Sequence, residues 1–449
     1  MSETMHAGNN TAAGNPVAPA AGAVPPLRRN WRFQTLWAGS TTALTGVSAA
    51  DVAYPLVILS MTGSPALAGL FGFLQAAALV VCGLPAGQVV DRWDRRRVLI
   101  AAESVRVAAT STVALLFALH QLTLAPILVA AVLLGAAQPF SGSARMLLVR
   151  SVVAPEQLTA ALTQDEVRGG IAELVGPTLG GVLYGLGRAL PFLFGAVSFA
   201  VSLACAIVVR PDAPASAAAV RNAAAGSDAS ETSEASEASA AEDGGDGGVF
   251  SGMFAGIRTL WADPALRAAV VLVSFLNAAG APLTLVAIYL LHRESAPSWS
   301  IGLALSGAAV GGLAGAGLVK PLHRLFRPGW LLLGVVASEV PLVIALGLVH
   351  GPWAVAVVLF CGMLGIPTLS VLLDVLIFRQ VPEQQRGRTI TSAMTIIALG
   401  IPVGTGAIGL LLQYLGGTGA VLCLAALLAC GASWAAAQPR LRAAQWPAA

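Results

Sequence analysis

Residues 83–102 read GLPAGQVVDRWDRRRVLIAA, and six of the seven residues from Asp91 to Arg97 are charged. Charged residues make up only 10% of the 449-residue chain, against about 25% in an ordinary soluble domain. A surface so short of charge cannot be mostly wet, so hydrocarbon must solvate much of it. The mean hydropathy of +0.78 agrees. The cluster at 91–97 therefore reads as a loop between two membrane-spanning segments.

Outward from that loop, apolar runs recur along the whole chain. They fall at 34–60, 66–90, 98–119, 124–143, 159–185, 190–209, 267–291, 299–319, 329–349, 352–374, 389–412 and 418–437. A run of about twenty residues crosses a hydrocarbon core of about 30 Å as a helix. Outer-membrane strands would be half as long and alternate in polarity, which these runs do not. The expected fold is an all-α membrane protein with twelve transmembrane helices.

Arginine placement gives an expected orientation. Arg28, Arg29 and Arg32 precede the first span, Arg92, Arg95, Arg96 and Arg97 follow the second, and Arg145 and Arg150 follow the fourth. Arg210, Arg221 and Arg258 follow the sixth, Lys320, Arg324 and Arg327 the eighth, and Arg379, Arg386 and Arg388 the tenth. The alternate loops offer Arg188 and Arg293. Both termini are expected in the cytoplasm, in the inner (plasma) membrane of a bacterium. The single lysine and the abundance of alanine, glycine and arginine suit a high-GC genome.

Residues 1–30 hold no signal-peptide core and read as a disordered tail. Residues 211–252 are low-complexity and carry Asp212, Asp228, Glu231, Glu234, Glu237, Glu242, Asp243 and Asp246 against Arg221 alone. That composition cannot bury a core and reads as a disordered cytoplasmic linker. It divides the chain into expected six-helix bundles at 31–210 and 253–438, with a short tail at 439–449. Outside the linker the balance is basic, which suits anionic lipid headgroups and gives nucleic acid little support. The five cysteines lack CxxC spacing, the histidines lack metal-ligand spacing, and no phosphate-binding GxxxxGK[ST] occurs. No metal, cofactor or ATP-driven chemistry is expected, and the chain does not read as an enzyme.

The two halves echo one another. VVAPEQL (152–158) corresponds to RQVPEQQ (379–385), and the same offset carries VGPTLGG (175–181) onto PVGTGAI (402–408). Two homologous bundles with a substrate site between them follow from such a repeat.

At these residues a family is recognisable. GQVVDRWDRRRVL (87–99) resembles the loop signature of the major facilitator superfamily, with Gly87, Asp91, Arg92, Arg95 and Arg96 matching and Asp94 in place of the usual second glycine. GPTLGG (176–181) is similar to the helix-five core of the superfamily's drug–proton antiporters, through Gly176, Pro177, Gly180 and Gly181. The subfamily it resembles is the macrolide-efflux or transmembrane secretion effector type, from LWAG (36–39), AYPLVILSMTGSPALAGL (53–70), DRRRVLIAAESVR (94–106) and PEQLTAAL (155–162). An R-x-x-Q-G pattern on helix four is missing from AAVLLGAAQPFSGSAR (130–145).

The resemblance implies that Asp91 meets helix eleven across the halves and locks an outward-facing state. Gly87, one turn earlier, allows the approach, and a helix N-terminus favours the anion. In GPTLGG, Pro177 removes a backbone donor while the glycines permit close packing.

Acids inside spans each need a partner, a cavity or a proton. Asp51, Glu173 and Glu166 are the candidates for proton coupling or cationic substrate, with Arg168 as an alternative ion-pair partner of Glu166. Asn277 is a polar point on helix seven that could hold substrate or bond a neighbouring helix. Glu103 and Arg106, three residues apart, read as an ion pair tied to the charged loop, and Glu339 as an acid facing a neighbouring helix.

The expected function is a monomeric secondary transporter that exports small amphiphilic organic compounds, such as a drug or secondary metabolite, in exchange for protons. An importer or lysolipid flippase of the same fold, or a non-transporting sensor or assembly factor, is the alternative. Asp91→Asn is expected to abolish transport while expression and membrane insertion, read on a blot of the membrane fraction, stay unchanged.

Overall fold

Asp94, the odd residue of the charged loop, sets where the third helix starts. Its Oδ1 accepts a hydrogen bond from the Arg97 backbone N–H at 3.0 Å, capping a helix at its N-terminus. This is seen in a computed structural model that describes residues 26–209, 257–258, 260–262, 264–372 and 383–438. Most of the expected tail at 1–30, all of the linker at 211–252, the tail at 439–449 and the start of the 379–385 echo lie outside the described residues.

Six helices make the first half: α1 (Trp31–Thr62), α2 (Pro65–Arg92), α3 (Arg95–Ala118), α4 (Leu124–Val152), α5 (Leu158–Leu186) and α6 (Leu190–Val208). In the second half come α7 (Pro264–Gly280), α8 (Leu283–Arg293), α9 (Ser298–Leu325), α10 (Pro328–Leu348), α11 (Pro352–Met363) and α12 (Glu383–Ala436). Ten stretches of the described residues are long and apolar enough to cross a membrane. One of them, 45 residues long, folds back at Gly416, whose φ of 69° and ψ of −175° break α12 into two arms. Glycine takes that backbone at no steric cost. A further crossing is α5, 29 residues long but carrying Asp165, Glu166, Arg168 and Glu173. The described residues thus make twelve crossings, and the first and last of them lie on the side that carries the arginines, here called the basic side.

Three expected boundaries are corrected. The seventh span is broken between α7 and α8 beside Pro282, and the tenth pauses at 364–365 before resuming over 366–372, next to Pro367. Proline has no N–H to give the preceding turn. The fourth span runs nine residues past its expected end, so Arg145 lies inside α4 rather than in a loop.

Each half packs in the same pattern. In the first, α1 lies against α5 and α6, and α3 and α2 against α4, with α3 also touching α6; in the second, α7 and α10 lie against α12, and α9 against α11. The halves meet along two seams, α5 with α9 and α2 with the first arm of α12. Backbone makes both contacts. A Cβ on Gly69 would come 2.6 Å from the Gly409 Cα, and one on Gly181 3.0 Å from the Gly302 Cα. Such a methyl could not fit without parting the helices, so these positions require glycine.

A buried charge cluster ties the first half together. Glu103 of α3 is 0% exposed and pairs with Arg145 of α4 at 2.8 Å and Arg106 at 3.4 Å. Arg145 also donates to Ser40 of α1 at 2.6 Å and Ser202 of α6 at 3.4 Å. The Arg106 guanidinium reaches Ser141 of α4 at 3.4 Å and lies 4.3 Å above the Phe199 ring. The Glu103–Arg106 pair is therefore joined to α1, α4 and α6, not to the charged loop as expected from sequence. The loop's own arginine, Arg96, donates to the carbonyls of Ala206, Ile207 and Val209 at the end of α6. A cation suits the free carbonyls of a helix C-terminus.

Glu103→Gln leaves two arginines facing one another without an anion. Breaking a buried ion pair costs about 3–5 kcal/mol, so the thermal unfolding midpoint in detergent is expected to fall well below wild type. Overpacking costs about 1–3 kcal/mol, so Gly302→Ala is expected to lower the same midpoint. Gly312→Ala, on the same helix but with nothing within 4 Å of its added methyl, leaves it unchanged or raised.

Candidate functional site

The two seams are closed only on the side away from the basic one. Along α2 and α12 the contacts begin with Ser64 donating to Gln413 at 2.9 Å, pass through Gly69 and Gly409, and reach Phe73 beside Gly406. Along α5 and α9 they pass from Gly181 and Gly302 to Ser306, which hydrogen bonds with Thr178 and donates to the Leu174 carbonyl, both at 2.7 Å. The innermost of these is Gly170, whose added Cβ would meet Leu313 at 3.1 Å. Farther toward the basic side, Gly83 and Gly87 have nothing within 4 Å, and Asp91, Lys320 and Arg324 are exposed. The halves part there and leave a cleft open to the basic side.

Asp51 lies at the closed end of this cleft. It is twenty residues into α1, about 30 Å up the helix at 1.5 Å per residue. The side chain is exposed although the next eight residues of α1 are buried. Gln75 of α2 donates to its Oδ1 at 3.4 Å, and Gln75 sits half a turn below the Phe73–Gly406 contact. An exposed carboxylate at that depth faces open space between the halves, since hydrocarbon would not tolerate it.

Glu173 and Glu166 share one sector of α5. That helix turns Gly176 and Gly180 toward Ser48 and Ala49 of α1, and Gly170, Thr178 and Gly181 toward α9. The two exposed acids lie between these contact faces. Ile171, Val175, Val182 and Leu186, all exposed, lie about 180° away at 100° per residue. The apolar stripe is the lipid face, so the acids face the cleft. Arg168 pairs with Asp165 at 2.7 Å and not with Glu166, the partner weighed from sequence. Residues two apart point to opposite faces of a helix, whereas three apart share one.

The remaining sequence candidates fall elsewhere. Within GPTLGG, Gly176 and Gly180 seat α5 on α1, while the Pro177 carbonyl and Gly181 meet Gly302 of α9. Asn277 donates to the Ile397 carbonyl of α12 at 3.5 Å and borders a cavity within the second half rather than the seams. Asp91 makes no hydrogen bond or ion pair among the described residues, and the side chains at the start of α12, where the loop signature implies its partner, lie outside them. No cluster of potential metal ligands occurs among the described residues. Gln75 and Arg145 were missed from sequence. A lone glutamine inside an apolar run was the available signal for the first; nothing distinguished the second from the loop arginines around it.

Known proteins with this sequence pattern and fold are transporters. The Major Facilitator Superfamily profile matches residues 36–405. Macrolide efflux protein A of Streptococcus pyogenes is 28% identical over 160 residues, which is 34% of this chain and 39% of that protein. The match therefore spans well under half of that relative's length. Among solved structures, a bacterial homologue of the human lysosomal transporter Spinster, inward-facing and unoccupied, superposes with a TM-score of 0.72 at 14% identity, covering 95% of this chain and all of the other. A bacterial homologue of the iron transporter ferroportin in an inward-facing state gives 0.66 at 17% identity, covering 91% and 100%. The nucleoside transporter NupG gives 0.67 at 14% identity, covering 90% and 98%. With that profile laid over twelve crossings in two bundles that meet at glycine seams, the chain belongs to the Major Facilitator Superfamily and is a multi-pass membrane transporter.

Proposed function

We propose that this transporter exports small amphiphilic organic compounds across a bacterial plasma membrane, with both termini cytoplasmic, in exchange for protons. The observation that carries the reading is Asp51. It is a carboxylate at the closed end of the cleft, exposed to that cleft, with a single neutral hydrogen-bond partner in Gln75. An acid so placed accepts a proton or the ammonium of a cargo, and the two compete for it. Glu173 and Glu166, lower on the same cleft, provide a stepwise path of protonatable groups toward the basic side.

Alternating access follows from the seams. With the outer contacts made and the basic side open, the transporter can receive cargo from the cytoplasm. Closing that side brings α2 toward α12 at the level of Gly87 and Asp91, whose surroundings are now clear. Asp91 then meets a helix end carrying free N–H groups, which stabilises the outward-facing form. Among cargoes, the partial likeness to a macrolide efflux protein favours bulky compounds that carry a basic amine.

The test is accumulation of radiolabelled erythromycin in bacterial cells with and without the protein. Expression is expected to lower accumulation several-fold, and a protonophore to abolish the difference. Asp51→Asn is expected to remove at least about nine-tenths of the efflux, in line with the loss of one positioned acid–base group, with unchanged membrane abundance. Export that survives collapse of the proton gradient would rule out proton exchange.

A further inference from the structure

Glu339 poses a problem that the export reading leaves open. It is 6% exposed, lies in the middle of α10, and has no hydrogen bond or ion pair among the described residues. Counting from the first residue of each helix, Glu339 is the twelfth residue of α10 and Arg106 the twelfth of α3. In the first half that position is filled by a guanidinium held by Glu103, Ser141 and the Phe199 ring. The second half puts an acid there and supplies no such company. The neighbouring helix α11 offers Gly362, where an added Cβ would be 3.3 Å from Glu339 Oε2.

The space left by that glycine is a cavity of about 270 Å³ bordered by α7, α8, α10 and α11. Its wall is apolar, from Leu276, Leu346 and Leu359, with Asn277 and Thr284 as the other polar residues. Asn277 uses its amide N–H on the Ile397 carbonyl, which leaves its amide oxygen as an acceptor. A carboxylate, an amide oxygen and a hydroxyl oxygen are all acceptors, and an ammonium group brings three donors and a positive charge. An unpartnered carboxylate at membrane depth is costly and calls for a cation or a proton. A proton alone would relieve that cost without any cavity. An apolar-walled cavity beside the acid has room for the body of a molecule as well as its charge.

We propose that this cavity is a binding site for a small lipophilic amine, its ammonium on Glu339 and its aryl or alkyl body against the leucine wall. The volume lies at the lower edge of usual ligand pockets, about 300–1,000 Å³, so the occupant is an arylalkylamine or the amine-bearing arm of a larger cargo. As a cargo subsite it rests on the export reading. As a binding site it is measured without transport, so the two fail separately.

The experiment uses the full chain in lipid nanodiscs and isothermal titration with 4-phenylbutylamine, with 4-phenylbutan-1-ol as the neutral analogue and empty nanodiscs subtracted. Wild type is expected to bind the amine at least about tenfold more tightly than the alcohol, the lower bound for a charge-assisted hydrogen bond. Glu339→Gln is expected to erase that difference while alcohol binding persists, which also shows that the variant is folded. Gly362→Leu keeps the acid but fills the cavity, and is expected to weaken both probes. Equal binding of amine and alcohol by wild type, full amine binding by Glu339→Gln, or full binding of both probes by Gly362→Leu would each overturn the site. If amine binding behaves as expected while no efflux is seen in cells, the site stands and the export reading falls.

Discussion

Hydrocarbon offers no partner to a charge, and that single constraint arranges this molecule. Each ionisable group placed within a span here meets it in one of three ways. Some find a partner on another helix or one turn away, as Glu103 does with Arg145 and Arg106, and Asp165 with Arg168. Others sit at a helix end, where Asp94 caps α3 and Arg96 holds the carbonyls that end α6. The rest face empty space inside the protein. Asp51, Glu166, Glu173 and Glu339 belong to this last group, and they are the acids to which chemistry is assigned above.

The first two solutions make the half-bundles rigid, and for the acids of the cleft the third requires that the halves part. These demands are compatible because the charge network and the seams use different helices. Glu103, Arg106 and Arg145 connect α1, α3, α4 and α6, whereas the two seams run through α2, α5, α9 and α12, and of the network's helices α1 alone touches the second half appreciably, lightly at α8. A change in the angle between halves therefore need not disturb a buried ion pair, whose rupture would cost about 3–5 kcal/mol.

The count and order of the spans were legible in the sequence because a membrane imposes a length on any helix that crosses it. Span ends were less so. Arg145 looked like one more loop arginine, yet three side chains from three other helices draw it into the bundle. Asp94 had no reading at all until its carboxylate was seen on the Arg97 N–H, although an aspartate just ahead of a helical run is an ordinary start signal. The arginines that follow it masked the signal. Of the candidate site, the polar residues inside spans could be named from sequence. Which of them face the cleft depends on how α5 is turned between α1 and α9, and no single helix carries that information. Asn277 is the instructive case, since its amide serves α12 and borders a cavity lined by the second half alone.

The seams have a consequence for how such a protein can change over generations. Gly69 meets Gly409, and Gly181 meets Gly302, backbone against backbone. The moving joint is thus specified by a few residues that have no side chain to vary, while the walls of the cleft and of the Glu339 cavity are built from side chains that the joint never touches. Selection for a new cargo can rewrite those walls one residue at a time and inherit a working joint. A lineage can acquire a new cargo without having to reinvent motion.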